Sequence, residues 1–344
     1  MTRHRPRSAW LSLALGLVLA ACSSAGTTGG RPGGPAAPSA HWVRFRHLPG
    51  VVDLTEPASD GSFTVAAAGR LFTLSRAGML GPFAQGPGGY RTAIGPEPYL
   101  TRPAAGQVAG TRCSFPGGAV FAIQPGRPPG VIMIGADGQA SRLVTLPSSL
   151  TLNGITADTT GRFGHALLVT ARNSTGTTVL AITCTGGVRT VTAHAPHMEG
   201  GMSVAPAAFG RYGGDLIAPD ESTGRVYAIA PDGTVHTLVQ SQLPHGGDIG
   251  VESTGFVPPG FSAGGSAYLA DRFSRGNKHP GTDSILRLPG RALLGAGVRP
   301  GDLLVATEGS ARTIAVRCAA TCTMRYIGTG LAISHAEGHI VFSR

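Results

Sequence analysis

The sequence contains few charged side chains and almost no lysine. Charged residues make up 13% of its 344 positions, and Lys278 is the single lysine. The zinc motif H-E-x-x-H, the glycine-rich phosphate loop that ends in Lys, and the acidic EF-hand loop are all missing from it. The sequence therefore excludes the proteins that these motifs define, namely zincin peptidases, P-loop nucleotidases and EF-hand calcium sensors.

Long stretches of helical periodicity are missing as well. From His41 onward the apolar segments are short, often β-branched, and separated by Gly, Pro, Asp or Asn. The 53 glycines and 26 prolines fall between these segments, where they predict turns rather than disorder. This pattern favours an all-β fold, and the chain length allows it to be one large domain.

The positive charge of the chain is dispersed. The formal net charge is +10, but the arginines are scattered and no basic run is interleaved with aromatic residues. Such a distribution is typical of a solvated surface rather than of a polyanion-binding site. We therefore expect no nucleic-acid partner.

Residues 1–21 have the parts of a secretory signal peptide. A basic segment, MTRHRPRSAW, precedes the apolar segment LSLALGLVLA, which is too short to span a bilayer as a stable helix. The sequence Leu19-Ala20-Ala21-Cys22 resembles the bacterial lipobox. That resemblance implies cleavage before Cys22, palmitate or similar acyl chains on Cys22, and a lipoprotein at the extracytoplasmic face of the cell membrane. The alternative is an ordinary secretory signal with a chance cysteine.

Residues 22–40 begin with the cysteine that would carry the lipid and continue with small residues, Pro and Gly, apart from Arg31. This composition cannot build a hydrophobic core. It predicts a flexible tether with a typical reach on the order of 24 Å. We expect the folded domain to occupy residues 41–344.

Two types of short strand alternate along this domain. Segments of the first type occupy residues 63–69, 119–123, 166–172, 215–220, 267–272, 302–308 and 339–343. Segments of the second type occupy residues 71–78, 131–138, 179–187, 226–233, 285–290 and 313–318. The most complete copy, at 199–238, contains four strands joined by turns such as Pro231-Asp232-Gly233.

This repeat predicts a β-propeller. Its units are about 45 residues long and contain four strands, as propeller blades do. We predict a single propeller of six or seven four-stranded blades, closed by pairing of the N- and C-terminal strands. The unpartnered segments at 41–49 and 339–343 favour seven blades, whereas an insertion at 291–301 would reduce the number to six.

Two runs of residues resemble a known group of propellers. The run LNGITADTTG at 152–161 and the run containing GGMSVAP and GGDLIAPDESTGRVYAI at 200–229 resemble NHL-repeat and gluconolactonase-like (SMP-30-like) proteins. The resemblance covers about half of the chain and implies the propeller fold. It also implies a divalent metal held by Glu, Asn and Asp at one end of the axis, a pattern that Asn153 matches best.

Four cysteines remain after Cys22, and they allow three disulfide connectivities. Cys318 and Cys322 lie between two strand-like segments, so a hairpin there would place their sulfur atoms across the turn. Cys113 and Cys184 would then pair with each other. Metal binding by these cysteines is the alternative, although a C-x-x-C pair is missing.

Several polar residues precede or begin apparent strands. Glu97, Asn153, Glu199 and Glu252 fit the approach to an innermost strand, and Glu337 precedes the last strand. Innermost strands line the axis of a propeller, so their N-terminal ends converge at one mouth. Because Ca²⁺ prefers oxygen ligands, Asn153, Glu199 and Glu252 are candidate ligands for a divalent metal such as Ca²⁺. The alternative is that the Glu side chains cap backbone N–H groups.

Five histidines fall near the same connections between units. They are His194, His197, His245, His335 and His339. One of them could act as a general base, but solvated loop histidines are the simpler interpretation.

Three functions are compatible with this sequence. The first is a membrane-anchored, extracytoplasmic propeller that binds a small molecule, a sugar or an envelope protein at one end of its axis. The second is a metal-dependent sugar-lactone hydrolase with Asn153, Glu199 and Glu252 as metal ligands. The third is a quinone-dependent sugar dehydrogenase, for which the sequence offers no base and cofactor set. The missing enzyme motifs favour the first, and no residue is assigned as catalytic.

Overall fold

The protein folds into a six-bladed β-propeller. The computed structural model describes residues 40–84, 97–103 and 106–344. The predicted signal peptide, Cys22 and all of the predicted tether except Ala40 lie outside the described residues. Each blade is a sheet of four antiparallel strands, so the all-β prediction is confirmed.

The strands are short and are numbered in chain order. The first are β1 (Ala40–His41), β2 (Val43–His47), β3 (Val51–Leu54), β4 (Phe63–Ala67), β5 (Arg70–Leu74), β6 (Leu80–Ala84), β7 (Leu100–Thr101), β8 (Val120–Gln124), β9 (Gly130–Ile134), β10 (Ala140–Thr145), β11 (Thr151–Ala157), β12 (Leu167–Asn173), β13 (Gly176–Ile182) and β14 (Val188–Ala195). They are followed by β15 (Ser203–Val204), β16 (Leu216–Asp220), β17 (Arg225–Ile229), β18 (Val235–Gln240), β19 (Val251–Phe256), β20 (Ser266–Asp271), β21 (Ser284–Pro289), β22 (Leu303–Thr307), β23 (Thr313–Cys318), β24 (Cys322–Thr329) and β25 (Ala336–Ser343). A 3₁₀ turn (Gly210–Tyr212) and a short helix, α1 (Gly290–Gly295), lie in connections.

The first four blades are built from consecutive strands. Blade 1 contains β3–β6, blade 2 β7–β10, blade 3 β11–β14 and blade 4 β15–β18. In each of them the first strand lies at the axis and the last at the rim. The unit predicted at 199–238 is blade 4, and its four strands pair in the predicted order.

The last two blades exchange strands with each other. Blade 5 has the order β19-β22-β23-β24, and blade 6 has the order β25-β20-β21-β2. After β19 the chain therefore enters blade 6 for two strands, returns to blade 5 for three, and then forms the innermost strand of blade 6. The helix α1 lies in the return connection from β21 to β22.

Six blades correct the count of seven that the terminal segments favoured. Six of the seven segments of the first type contribute the second strand of a blade. The seventh, at 339–343, belongs instead to the innermost strand β25. Residues 291–301 contain most of α1 and the turn after it rather than a strand.

Blade 6 closes the ring with strands from both ends of the described chain. Its outermost strand is β2 and its innermost strand is β25. The predicted closure of the ring within one blade is thus confirmed, but the two terminal strands do not pair directly, because β20 and β21 lie between them. The additional strand β1 runs parallel to β24 at the rim of blade 5, where His41 lies opposite Thr329.

The hydrophobic core is a ring of six clusters, one between each pair of neighbouring blades. Leu71 of blade 1 and Ile132 of blade 2 share one cluster, and Val65 of blade 1 shares another with Tyr268 of blade 6. The other four clusters join the remaining neighbours in order. The middle strands of a blade are therefore covered on both faces, which explains their continuous apolar sequences.

Both predicted disulfides are present. Cys113–Cys184 joins a loop of blade 2 to the β13–β14 turn of blade 3, with 6.1 Å between the Cα atoms. Cys318–Cys322 closes the β23–β24 hairpin, in which the two residues lie opposite each other. Within the described ranges, no helix is both long and apolar enough to cross a bilayer.

Candidate functional site

The N-terminal ends of the innermost strands converge at one mouth of the axis. The Tyr99 side chain shows this directly, because it belongs to blade 2 and reaches two other blades. Its hydroxyl lies 2.9 Å from Oε1 of Glu252 in blade 5 and 2.7 Å from Oε2 of Glu337 in blade 6. We call the whole group the acidic mouth; its members are Glu97, Tyr99, Asn153, Glu199, Glu252, Arg272, Glu308, His335 and Glu337.

The three residues predicted as metal ligands come from three consecutive blades and are brought together. Nδ2 of Asn153 donates to the carbonyl of Met198 at 2.8 Å, and the Asn153 carbonyl accepts from the Gly200 N–H at 3.0 Å. Asn153 is therefore bonded to the chain on both sides of Glu199. The Glu252 carboxylate packs directly on Gly200, whose positive φ of 84° suits glycine. Their role as metal ligands stays a prediction.

A narrow waist lies just below the acidic mouth. The Gly201 N–H donates to the Glu252 carbonyl at 3.0 Å, and the Thr254 N–H donates to the Gly201 carbonyl at 2.9 Å. A Cβ at Gly201 would overlap the carbonyl oxygen of Gly338 in blade 6. The consecutive glycines after Glu199 thus let three innermost strands touch across the axis.

Tyr99 and its two carboxylate partners must share protons. One hydroxyl proton can be donated to only one carboxylate, so the second short contact requires a protonated carboxyl group. Burial, together with the charge of Glu337, raises the pKa of Glu252 well above its ordinary value. We therefore assign Glu252 as the neutral partner that donates to the Tyr99 oxygen, while Tyr99 donates to Glu337.

His335 holds two carboxylates together. Its Nε2 lies 2.8 Å from Oε1 of Glu308 and 3.4 Å from Oε1 of Glu337, and all three side chains are buried. Burial alone would favour the neutral ring, but the bonds to Glu308 and Glu337 outweigh it and raise the pKa of His335 to about 10. Burial raises the pKa of Glu308 to about 7. The ring therefore acts as a fixed cation at neutral pH.

Arg272 supplies the second cation of the mouth. Its Nη1 forms an ion pair with Oε1 of Glu97 and lies 3.4 Å from Oε1 of Glu337. Burial opposes ionisation of Glu337, yet the bond from His335 and the charge of Arg272 lower its pKa. Glu337 is thus the carboxylate that stays charged, at the centre of the network.

Three oxygen atoms of the mouth have no hydrogen-bond partner among the described residues. They are Oδ1 of Asn153, Oε2 of Glu252 and Oε2 of Glu308, and each residue is at least 92% buried. A buried polar atom without a partner is costly, on the order of 1–3 kcal/mol. Amide and carboxylate oxygens are of the kind that a hard divalent cation prefers as ligands.

The alternative role for the Glu side chains, capping of backbone N–H groups, is not observed for Glu199, Glu252 or Glu337 in the part of the chain that the structure describes. Aspartates take that role instead. Asp158 accepts backbone N–H groups of its own connection, including that of Phe163 at 2.7 Å. Oε2 of Glu252 and Oε2 of Glu308 are consequently available to a ligand, whereas Glu97 and Glu337 are paired with Arg272.

The five predicted histidines separate into two groups. His194 and His245 are exposed, as expected for loop residues. His197 lies 3.5 Å from a carboxylate oxygen of Glu199. His335 and His339 are buried, so their assignment to solvated loops is wrong.

Comparisons with known proteins bear on the fold. No family model matches the sequence, and no curated protein matches it. The chain is similar in structure to a virginiamycin B lyase from Staphylococcus aureus (13% identity, 84% of this chain and 74% of that one, TM-score 0.43). It is also similar to a candidate gluconolactonase (14%, 73% and 92%, 0.35) and to regucalcin, a calcium-binding protein from Agrobacterium tumefaciens (14%, 68% and 74%, 0.39). These likenesses concern the fold alone.

The opposite mouth of the axis has a different character. A cavity of about 680 Å³ lies there, lined by apolar residues such as Phe256 and Phe342 and by Glu56. Nearby residues 260–264 read G-F-S-A-G, the pattern of a hydrolase nucleophile elbow. That elbow requires a strand, a turn and a helix, whereas Ser262 is exposed in a loop between two strands. Ser262 therefore does not form a nucleophile elbow.

Sequence reasoning missed Tyr99, Arg272, Glu308 and the buried role of His335. Glu308 follows the second strand of blade 5, and Arg272 follows the second strand of blade 6. Neither begins an innermost strand. The search for polar residues at the start of such strands, which identified the other carboxylates, therefore does not identify these two. The spacing His335-Ala-Glu337 was a usable signal, because alternate residues of a strand share one face.

The protein without added cation is expected to lose stability as the pH rises. Burial raises the pKa of both Glu199 and Glu308 from 4.5 to about 7, so the folded state binds more protons than the unfolded state between these values. His335, whose pKa is raised from 6.5 to about 10, stabilises the fold below pH 6.5 and loses this contribution as the pH rises through 10. Both effects have the same sign and total on the order of a few kcal/mol.

Urea unfolding at several pH values between about 5 and 9 measures this dependence. The Glu308→Gln variant removes one carboxyl group with a raised pKa and one partner of His335. Its unfolding free energy is therefore expected to fall less steeply with increasing pH than that of the wild type. A stability that rises across the same range would contradict the assignment of these protons.

Proposed function

We propose that the protein is an extracytoplasmic, membrane-anchored propeller that binds a divalent cation at its acidic mouth, and through it a small ligand. The observation that supports this most is the pair of unpartnered buried oxygens on Asn153 and Glu252. Anchoring through Cys22 is part of the proposal and follows from the lipobox resemblance. The ligand, a small molecule or a sugar, would approach along the axis.

Two places in the mouth could attract a cation, and their chemistry differs. Ligand atoms of Glu308, His335 and Glu337 all lie within 4.8 Å of one another. There, however, the imidazolium ring already bonds both carboxylates, and a metal would have to displace a proton from a group with a pKa of about 10. At Asn153, Glu199 and Glu252 a metal would displace carboxyl protons rather than the proton of an imidazolium ring. We therefore favour these three as the cation ligands.

Their donor atoms indicate the kind of cation. Carboxylate and amide oxygens are hard ligands that suit Ca²⁺, and no cysteine thiolate is available, because all four described cysteines form disulfides. Glu199 has its pKa raised to about 7, chiefly by burial and by Glu97. A divalent cation would relieve this repulsion among neighbouring carboxylates.

Calcium titration tests the proposal. Saturating Ca²⁺ should raise the unfolding free energy of the wild type by about 2.7 kcal/mol at one hundred times the Kd. Glu252→Gln keeps a donor for Tyr99, so the fold should persist, but the amide cannot lose a proton to become a charged ligand, so Ca²⁺ affinity should fall at least about tenfold. Isothermal titration calorimetry and thermal unfolding with and without Ca²⁺ measure both quantities.

Glu56→Gln is the matched control, because Glu56 lines the cavity at the opposite mouth. Its Ca²⁺ affinity should equal that of the wild type. The cation proposal is wrong if the wild type shows no response to Ca²⁺ or if Glu252→Gln responds as strongly as the wild type.

One observation favours a second function, metal-dependent hydrolysis of a sugar lactone. The Tyr99 hydroxyl lies 2.9 Å from the proposed ligand Glu252 and 2.7 Å from Glu337, so a phenol proton is held next to the cation ligands. A bound cation would polarise a carbonyl group, and the chain itself would hold a proton for the leaving oxygen at Tyr99. Lactone hydrolysis that requires Ca²⁺ and is lost in Tyr99→Phe, while Ca²⁺ affinity is kept, would support this function over binding alone.

A further inference from the structure

Two loops at the acidic end of blades 5 and 6 form one continuous surface. The first, residues 272–283, connects β20 to β21, and the second, residues 330–335, connects β24 to β25. The Gly281 N–H donates to the Ile333 carbonyl at 2.7 Å, and Nδ1 of His279 lies 2.8 Å from the Ala332 carbonyl. We call these two segments the rim loops.

Each rim loop exposes a large apolar side chain. Phe273 is 50% exposed and Ile333 is 45% exposed. Other exposed large apolar residues lie elsewhere, for example Met79 on the β5–β6 turn of blade 1. Phe273 and Ile333 thus bring two exposed apolar side chains to loops that are hydrogen-bonded to each other.

The same surface is positively charged. Arg275 and Lys278, the only lysine of the chain, are exposed on the first rim loop. Neither forms an ion pair with any residue in the described ranges. Exposed aromatic and aliphatic side chains beside unpaired cations suit the boundary of an anionic bilayer, which offers apolar chains below and phosphates above.

The N-terminal segment of the chain joins the folded domain beside the second rim loop. His41 pairs with Thr329, and the Trp42 N–H donates to the Thr329 carbonyl at 3.0 Å. Thr329 directly precedes the second rim loop and is four residues from Ile333. A lipid on Cys22 would therefore be connected to the domain beside the rim loops, by a segment with a typical reach on the order of 24 Å.

We propose that the rim loops are a second membrane contact, in which Phe273 and Ile333 enter the headgroup boundary and Arg275 and Lys278 bind anionic lipid phosphates. The biological setting of this contact rests on the proposed anchoring at Cys22. The contact would place the acidic mouth beside the bilayer surface, because Arg272 at the start of the first rim loop bonds Glu97 and Glu337.

Fluorescence of a polarity-sensitive dye tests the contact. Single cysteines replace Phe273, Ile333 or Met79 in a chain that begins at Ser23 and thus lacks the lipid. The four native cysteines are disulfide-bonded and do not react with the dye. Vesicles of equal parts phosphatidylcholine and phosphatidylglycerol should shift the emission of dyes at positions 273 and 333 to the blue, and leave the dye at Met79→Cys unchanged. Vesicles of phosphatidylcholine alone should give a much weaker response.

Charge reversal provides the matched comparison. Arg275→Glu with Lys278→Glu should weaken the response to anionic vesicles on the order of tenfold or more, whereas Arg76→Glu at the opposite mouth should leave it unchanged. An absent response at positions 273 and 333, or an equal response at position 79, overturns the contact. Detergent partitioning of Cys22→Ser against the wild-type lipoprotein tests the anchor separately, so either proposal can fail alone.

Discussion

Asp53→Ala is expected to lower the unfolding free energy by about 3–5 kcal/mol, because it leaves a buried charge without its partner. Asp53 is fully buried on β3, and its Oδ2 lies 2.9 Å from Nδ1 of His339. It also accepts the backbone N–H groups of Leu100 and His339, each at 2.8 Å. One carboxylate thereby joins blades 1, 2 and 6, where the ring is closed.

The loss should depend on pH in a defined way. Burial disfavours the charged ring of His339, but the charge and bond of Asp53 raise its pKa from 6.5 to about 9. This stabilisation is complete below pH 6.5 and is lost as the pH rises through 9. The difference between the wild type and Asp53→Ala should therefore shrink in alkaline solution.

Urea unfolding near pH 6 and above pH 9 measures both parts of this expectation. Asp232→Ala is the control, because Asp232 is in an exposed turn and accepts the Thr234 N–H at 2.9 Å. That variant should cost much less than Asp53→Ala, because water can replace the exposed hydrogen bond. Equal losses in the two variants would show that Asp53 does not hold the ring together.

The blade pattern could be predicted where consecutive strands stay in one sheet. The four strands of residues 199–238 pair as expected because each turn is short and returns the chain to its neighbour. Blades 5 and 6 could not be predicted in this way. Their middle strands, such as β20 and β22, have the same apolar character, and nothing local specifies which innermost strand each will pair with.

The same distinction, between positions that follow the repeat and positions that depend on the strand exchange, applies to the residues of the acidic mouth. Glu199 and Glu252 could be found because they begin innermost strands, a position that a repeat reveals. Glu308 and Arg272 follow second strands of the two interleaved blades, so their approach to His335 and Glu97 depends on a pairing that only the folded chain shows. Glu308 and Arg272, whose charges help to set the protonation of the acidic mouth, could therefore not be predicted from the sequence.

Aspartate and glutamate have separate tasks at the axis. Asp53 binds backbone N–H groups and a histidine, and it closes the ring. Glu252, with one more methylene group, reaches past the backbone and leaves an oxygen without a partner. The first arrangement stabilises the fold, whereas the second destabilises it unless a ligand is bound. Glycines lie next to both side chains, since Gly338 packs on Asp53 and Gly200 packs on Glu252.

The narrow waist below the acidic mouth leads to the second large effect, the Gly201→Ala variant. The added methyl group would overlap the Gly338 carbonyl, which is backbone and cannot rotate away. Gly201 cannot retreat either, because its N–H bonds Glu252 and its carbonyl accepts the Thr254 N–H at 2.9 Å. We expect the unfolding free energy to fall by about 3 kcal/mol or more, at the upper end for an overpacked core.

The same variant should weaken calcium binding in the molecules that remain folded. Gly201 is bonded to the backbone of Glu252 and lies two residues from Glu199, so a shift of the waist moves both proposed ligands. Gly247→Ala is the matched control, because its added methyl group meets no atom within 4 Å. Calorimetric titration with Ca²⁺ and urea unfolding distinguish the outcomes. A Gly201→Ala variant as stable as Gly247→Ala would show that the innermost strands do not touch across the axis. If Gly201→Ala shows the expected loss of stability but an unchanged Ca²⁺ affinity, the cation binds away from Glu199 and Glu252.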